Sequence, residues 1–145
     1  MNAEITIEDG IVNKYVILTE FDETLQEAAE RQYKFQDKAS KLTPFVPKVL
    51  GIKDRDIEME YVEGKTLLKS LPSMNSEQIE KVRKDIYTMI DLFNSNDIYH
   101  QDLYPSNIIL GKDGNTYVID FALAQDHCIF HDDKAFFEEK LIECQ

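Results

Sequence analysis

Apolar and polar positions alternate along the first part of the chain. Ile5-Thr6-Ile7 and Ile11-Val12-Asn13-Lys14-Tyr15-Val16-Ile17-Leu18 flank Glu8-Asp9-Gly10, an order that predicts two strands joined by a hairpin turn. On the two-residue period of a strand, Val12, Lys14, Val16 and Leu18 share a face. A lysine among three aliphatics is either an edge residue whose stem lies flat or a cation aimed into a cleft. After Asp22, a helix-capping residue, the period changes. Leu25, Ala28, Ala29 and Phe35 recur at helical spacing, with Gln32 as a spacer and Glu27 and Glu30 along the border, and predict a helix over about residues 23–40. Thr43-Pro44 and Val46-Pro47 end it. Two more strands follow, 48–51 and 57–62, across the charged turn Lys53-Asp54-Arg55-Asp56, and Glu63-Gly64 breaks the second.

Residues 63–73 read as a linker. Asn75 caps a second long helix, with Gln78 as its capping-box partner and Ile79, Val82, Ile86, Met89, Ile90 and Phe93 as its core stripe. Beyond Asn94-Ser95-Asn96 come a short strand to His100, a loop, and a hairpin of 107–110 and 116–120 around Gly111-Lys112-Asp113-Gly114-Asn115. An amphipathic tail carries Ala135, Phe136, Leu141 and Ile142. The order predicts an α+β chain, a single domain over 1–145 with a small lobe at about 1–63 and a larger one at 64–145.

Composition narrows the chemistry. Of 145 residues 43% are hydrophobic, enough for a core. The net charge of −12 argues against direct binding of nucleic acid, which calls for a basic face. It suits a basic partner or a metal cation, although an acidic solvated surface alone accounts for it. Two cysteines, Cys128 and Cys144, no leading apolar segment and no bilayer-length apolar run lead us to expect a reduced, cytoplasmic protein without a membrane partner. His127-Cys128-Ile129-Phe130-His131 with Cys144 lacks the second spaced pair of a zinc site and reads more simply as loop residues.

The densest chemistry lies in His100-Gln101-Asp102-Leu103-Tyr104-Pro105-Ser106-Asn107 and Ile119-Asp120-Phe121-Ala122. Pairing of the hairpin brings Asn107, at the start of one strand, close to Asp120, at the end of the other. Two hard oxygen donors suit Mg2+, which takes few protein ligands and keeps its waters. Asp102, across the loop, is placed to accept or orient a proton, and His100 to fix the backbone beneath it. Each residue alone has an ordinary reading, because Asp and Asn are common at strand ends and turns. The combination is far more specific.

Residues 100–122 resemble the catalytic and metal-binding loops of the protein-kinase-like superfamily, and Ile57-Glu58-Met59-Glu60-Tyr61-Val62-Glu63-Gly64 resembles the strand and hinge between its lobes. Among small atypical kinases, the kinase family of the KEOPS complex has a similar loop, an I-D-F-G-L strand end and an E-D-K-A helix start. The corresponding segments here are 100–110, 119–123 and Asp132-Asp133-Lys134-Ala135. RIO kinases and the aminoglycoside and lipopolysaccharide kinases share the loop logic. The resemblance implies a minimal two-lobed kinase-like fold with a reduced N-lobe and a truncated C-lobe. It implies ATP and Mg2+, with Asp102 as base and Asn107 and Asp120 as metal ligands. Met59 would be the gatekeeper, while the Glu60 carbonyl and Val62 N–H would meet the adenine. Lys14 would contact phosphate, held by Glu30 or, behind it, Glu27.

Some positions depart from that pattern. Thirteen residues with a single glycine precede Lys14, too few for a full glycine-rich cover. Ala122 stands where the family has glycine, and the helix aspartate that anchors the catalytic loop corresponds to Phe137. Two expectations follow. One is a kinase or ATPase that is slow or completed by a partner subunit, its acceptor a serine or threonine of a protein or else a small hydroxylated molecule. The other is a nucleotide-binding pseudokinase scaffold. Retention of all three polar loop residues favours the enzyme.

Overall fold

A computed structural model describes residues 3–145. The small lobe is an antiparallel sheet of β1 (Ala3–Glu8), β2 (Ile11–Val16), β3 (Val49–Lys53) and β4 (Asp56–Glu60), in the order β1-β2-β4-β3, with α1 (Leu25–Leu42) against it. The first turn needs two left-handed residues in succession, and Asp9 (φ 51°) and Gly10 (φ 76°) supply them. β2 runs beside β4 with Lys14 opposite Ile57 and Val12 opposite Met59.

Helix α1 starts two residues later than expected. Its N-cap is Thr24 rather than Asp22: the Thr24 hydroxyl accepts from the Glu27 amide (3.1 Å), and the Glu27 carboxylate accepts from the Thr24 amide (2.9 Å). A reciprocal box outranks a lone acidic cap. The helix buries Ala28, Ala29, Gln32, Phe35, Gln36 and Ala39, so Gln32 belongs to the packed face. Ala28 and Ala29 pack with Val16, Ile57 and Met59 in a small core, and Phe35 and Ala39 join the large one.

The expected linker is largely structured. β5 (Gly64–Thr66) pairs with β6 (Ile108–Gly111), which pairs with β7 (Thr116–Val118). α2 (Leu67–Ser70) follows, and Leu67 and Leu71 enter the large core. β5 can form because Gly64 lies against the backbone of Leu110, where a Cβ would stand 2.2 Å from the carbonyl oxygen. The long helix α3 (Ser76–Asn94) has the expected Asn75–Gln78 box, both bonds at 2.9 Å, and buries Val82, Ile86, Met89, Ile90 and Phe93. The strand expected before His100 reduces to one bridge, Tyr99 with Gln125. In α4 (Asp133–Glu143) Phe137 and Leu141 are fully buried, whereas Ile142 is exposed. Among the described residues no helix is long and apolar enough to cross a membrane.

Candidate active site

The loop between α3 and β6 is anchored from below by a buried imidazole. His100 Nε2 lies 2.9 Å from the Ile119 carbonyl, and its Nδ1 accepts the Asp102 amide at 3.2 Å. The neutral Nε2–H tautomer satisfies both contacts. The ring stacks edge-on with Phe121, 4.9 Å between centroids, so the segment after β7 that carries Asp120 and the loop carrying Asp102 are fixed on one support.

β6–β7 pairing brings the polar groups together. Ile119 N–H donates to the Asn107 carbonyl at 3.0 Å, which places Asn107 and Asp120 side by side. Asn107 Nδ2 donates to the Asp102 carbonyl (2.9 Å) and to Asp102 Oδ2 (3.1 Å), leaving its own Oδ1 without a hydrogen-bond donor among the described residues. Asp120 is left-handed (φ 62°), which turns its carboxylate towards the small lobe. Lys14 meets it there: Nζ lies 3.1 Å from Asp120 Oδ1, and the lysine is only 6% exposed. Of the two readings of Lys14, a cation aimed into a cleft is the one realised.

Lys14, Asp102, Tyr104, Ser106, Asn107 and Asp120 line one cavity of about 470 Å³, with Ala3 and Ile5 of β1 as part of its wall. A second, apolar cavity of about 280 Å³ includes Ile5, Ile7, Val12, Met59, Ile109 and Ile119 and ends at Glu60, Tyr61 and Val62. Both share Ile5, Lys14 and Asp120, so one cleft runs from the hinge to the loop. Gln36 Nε2 holds the Met59 sulfur at 3.4 Å and the Pro47 carbonyl at 2.9 Å, fixing the apolar wall. Strand β1, which holds no glycine, lies over part of the cleft.

The charges have opposite responses. Burial pushes the Asp102 carboxyl above its ordinary range, reinforced by the neighbouring Asp120 carboxylate. Burial acts to raise Asp120 as well, but the Lys14 ammonium and the Ala122 amide outweigh it and hold that carboxyl below the ordinary range. One group is thus suited to take up a proton and the other to remain an anion. Asn107 Oδ1 and the second oxygen of Asp120 fit a small hard cation whose other ligands are phosphate and water. Among the described residues no three His, Cys, Asp or Glu side chains form a closed metal site. Cys128 Sγ points to the His131 carbonyl (3.1 Å) and Cys144 Sγ to the Tyr104 hydroxyl (3.5 Å), so the two do not converge.

Two expectations are corrected. Glu30 is exposed and accepts only a 3.4 Å bond from Gln26, and Glu27 is engaged in the Thr24 cap; neither meets Lys14, whose partner is Asp120. The acid that anchors the loop 100–107 is Asp133, whereas Phe137 is a core residue. Asp133 Oδ1 accepts the Gln101 amide (3.0 Å) and Gln101 Nε2 (3.1 Å), and its Oδ2 accepts Asn94 Nδ2 (3.2 Å). Asp132 takes the helix cap and leaves Asp133 free to turn inward. The acidic pair at a helix start was the available signal. Gln101 was also missed: fully buried at φ 66°, its side-chain oxygen accepts the amides of Ile129, Phe130 and His131.

Two lobes around such a cleft define a protein of the protein-kinase-like class, of the small atypical kind. A family model described as the RIO domain matches residues 12–142, and the chain belongs to that family. It is similar to the KEOPS complex subunit Bud32 of Pyrococcus abyssi, 32% identical over 84% of this chain and 56% of that protein. It is similar to the probable serine/threonine-protein kinase PknB of Lactococcus lactis, 33% identical over 54% of this chain and 14% of the other. With CBL-interacting serine/threonine-protein kinase 21 of Arabidopsis thaliana it shares 31% over 76% of this chain and 29% of the relative. The chain thus spans about half the length of the Bud32 relative and less of the others.

Proposed function

We propose that this chain is an ATP-dependent phosphotransferase acting on a serine or threonine hydroxyl of a protein, as one two-lobed unit divided near residue 63. The observation that carries the reading is the meeting of Lys14, Asp102, Asn107 and Asp120 in one cavity that continues into an apolar pocket at the hinge. The apolar walls, Val12 and Ile5 above and Ile109 and Ile119 below, suit a flat base. The Val62 amide has no partner among the described residues and is open to an adenine nitrogen, alongside the Glu60 carbonyl. Met59 closes the back of the pocket.

Asn107 and Asp120 would hold Mg2+, which when bound supplies charge stabilisation for the transferring phosphoryl. Lys14, which lies 3.1 Å from Asp120, would be placed to contact the nucleotide phosphates beside that metal site. Asp102, its affinity for a proton raised by burial, accepts the proton of the attacking hydroxyl. His100 and Asp133 keep that carboxylate at its height in the loop. The similarity to a subunit named for a complex supports a partner subunit, and the two free cysteines suit a reduced, cytoplasmic setting.

The test is ATP hydrolysis and autophosphorylation by wild type, Asp102→Ala and Asp120→Ala. The reading expects a fall of about 100-fold or more in each variant with the fold intact. Equal traces for all three proteins would remove it.

A further inference from the structure

On α1 the residue that reaches across the cleft is not Glu30 but its neighbour. The Arg31 side chain is 12% exposed and that of Glu23 13%. Arg31 Nε donates to Glu23 Oε1 at 2.9 Å and Nη2 to Glu23 Oε2 at 3.1 Å, while Nη1 is left to reach the carbonyl of Ala124 in the large lobe, at 3.1 Å. The guanidinium also lies over the Phe21 ring, 4.6 Å from its centroid, and Phe21 packs on Phe130 at 5.9 Å. Thr19 steadies Glu23 through a 3.0 Å bond. Ala124 is wholly buried, four residues beyond Asp120, at the end of a tight turn in which its amide donates to the Phe121 carbonyl at 3.1 Å.

We propose that Arg31 is a positioning residue that ties the placement of α1 to the strand end bearing Asp120, in the role the sequence had suggested for a helix glutamate on Lys14. The fork geometry suits it: two donors fix the guanidinium on Glu23, and the remaining face is aimed at one carbonyl. A buried ion pair adds little stability by itself, so its consequence is orientation. The turn 120–124 is pinned at its start by the Lys14–Asp120 contact and at its end by Arg31, both from the small lobe. With the end released, Asp120 keeps its chemistry and loses its bearing.

This role rests on the nucleotide reading, and the test separates the two. Amide hydrogen exchange of peptides covering 121–126 is measured without nucleotide for wild type, Arg31→Met and Arg31→Lys. The affinities of adenosine and of Mg-ADP are measured by calorimetry. For Arg31→Met, exchange at 121–126 rises about tenfold, adenosine binding stays within about twofold and Mg-ADP binding weakens about tenfold, the range of one lost charged hydrogen bond. Arg31→Lys, which keeps the charge on Glu23, falls between. Unchanged exchange at 121–126 overturns the proposal, as does equal weakening of both ligands with faster exchange over the whole chain. If wild type binds neither ligand, the phosphotransferase reading fails while the exchange arm still decides the hold of Arg31 on the turn.

Discussion

Replacing Asp133 by alanine removes the acceptor that holds the loop 100–107 from below, and the size of the loss can be worked from its partners. Asp133 is 2% exposed and receives three donors, the Gln101 amide, the Gln101 side chain and the Asn94 side chain. Gln101 Nε2 keeps the His131 carbonyl at 2.8 Å and Asn94 Nδ2 keeps the Ile98 carbonyl at 2.9 Å, so each side-chain amide nitrogen loses one bond of two. The buried backbone N–H of Gln101 loses the only partner it has among the described residues. An unpaired buried donor costs about 1–3 kcal/mol and a hydrogen bond to a charged group contributes about 1.5–3 kcal/mol, so about 3–5 kcal/mol is expected once overlap is removed. Gln101 also sits at φ 66°, a conformation that costs a side-chain-bearing residue about 1–2 kcal/mol and persists only while its bonds hold it. With Asp133 gone it relaxes and carries Asp102, the next residue, out of place. Urea unfolding should show the loss, and at temperatures where the variant is still folded, turnover should fall with KM for ATP nearly unchanged. Asp133→Asn, which keeps one acceptor, should retain more than half of the stability. A loss below about 1 kcal/mol for the alanine variant would refute the reasoning.

Three further outcomes follow from the same geometry. Gly64→Ala places a Cβ 2.2 Å from the Leu110 oxygen and 2.9 Å from the Gly111 Cα; because both obstacles are backbone, β5 separates from β6 and thermal unfolding should show a loss of about 2–3 kcal/mol, whereas an unchanged melt contradicts the close approach. Lys14→Met removes the cation that holds the Asp120 carboxyl down, so the carbon-13 titration midpoint of Asp120 should move up, and an unmoved midpoint denies the pair. For Asp102 the folded pKa lies above the unfolded one, so protonation favours the fold and the ionised form costs stability at neutral pH. Asp102→Asn should therefore melt no lower than wild type at about pH 7 and lose that advantage near about pH 4, while phosphoryl transfer falls by about 100-fold or more.

Local signals in the sequence foretold local structure. The Asp9-Gly10 turn, the Asn75–Gln78 box and the apolar stripe of α3 each depend on residues within a few positions, and each is found where the pattern puts it. The meeting of Asn107 with Asp120 was legible because a hairpin fixes its own register. What escaped depends on distant partners. Two capping candidates, Asp22 and Thr24, compete at the start of α1, and only the reciprocal bond with Glu27 decides between them. A three-residue strand such as β5 has no period to read, and its partner lies more than forty residues away. Arg31 and Glu30 look alike on a helical border; the difference is the orientation of α1 over the segment after Asp120, which no spacing within the helix encodes. Asp133 stands in the sequence only as part of a helix start, and its inward turn depends on Gln101 and Asn94, more than thirty residues away.

The central claim is that Asn107 and Asp120 share one divalent cation with a nucleotide. It is tested most directly by NMR of the side-chain amide of Asn107 and the carboxyl of Asp120 during titration with Mg2+ and a non-hydrolysable ATP analogue, repeated with Mn2+. The account predicts that both signals shift only when metal and nucleotide are present together, and that Mn2+ broadens them ahead of the exposed acids Asp113 and Asp126. Shifts spread over the surface carboxylates, with Asn107 and Asp120 unmoved, would contradict it.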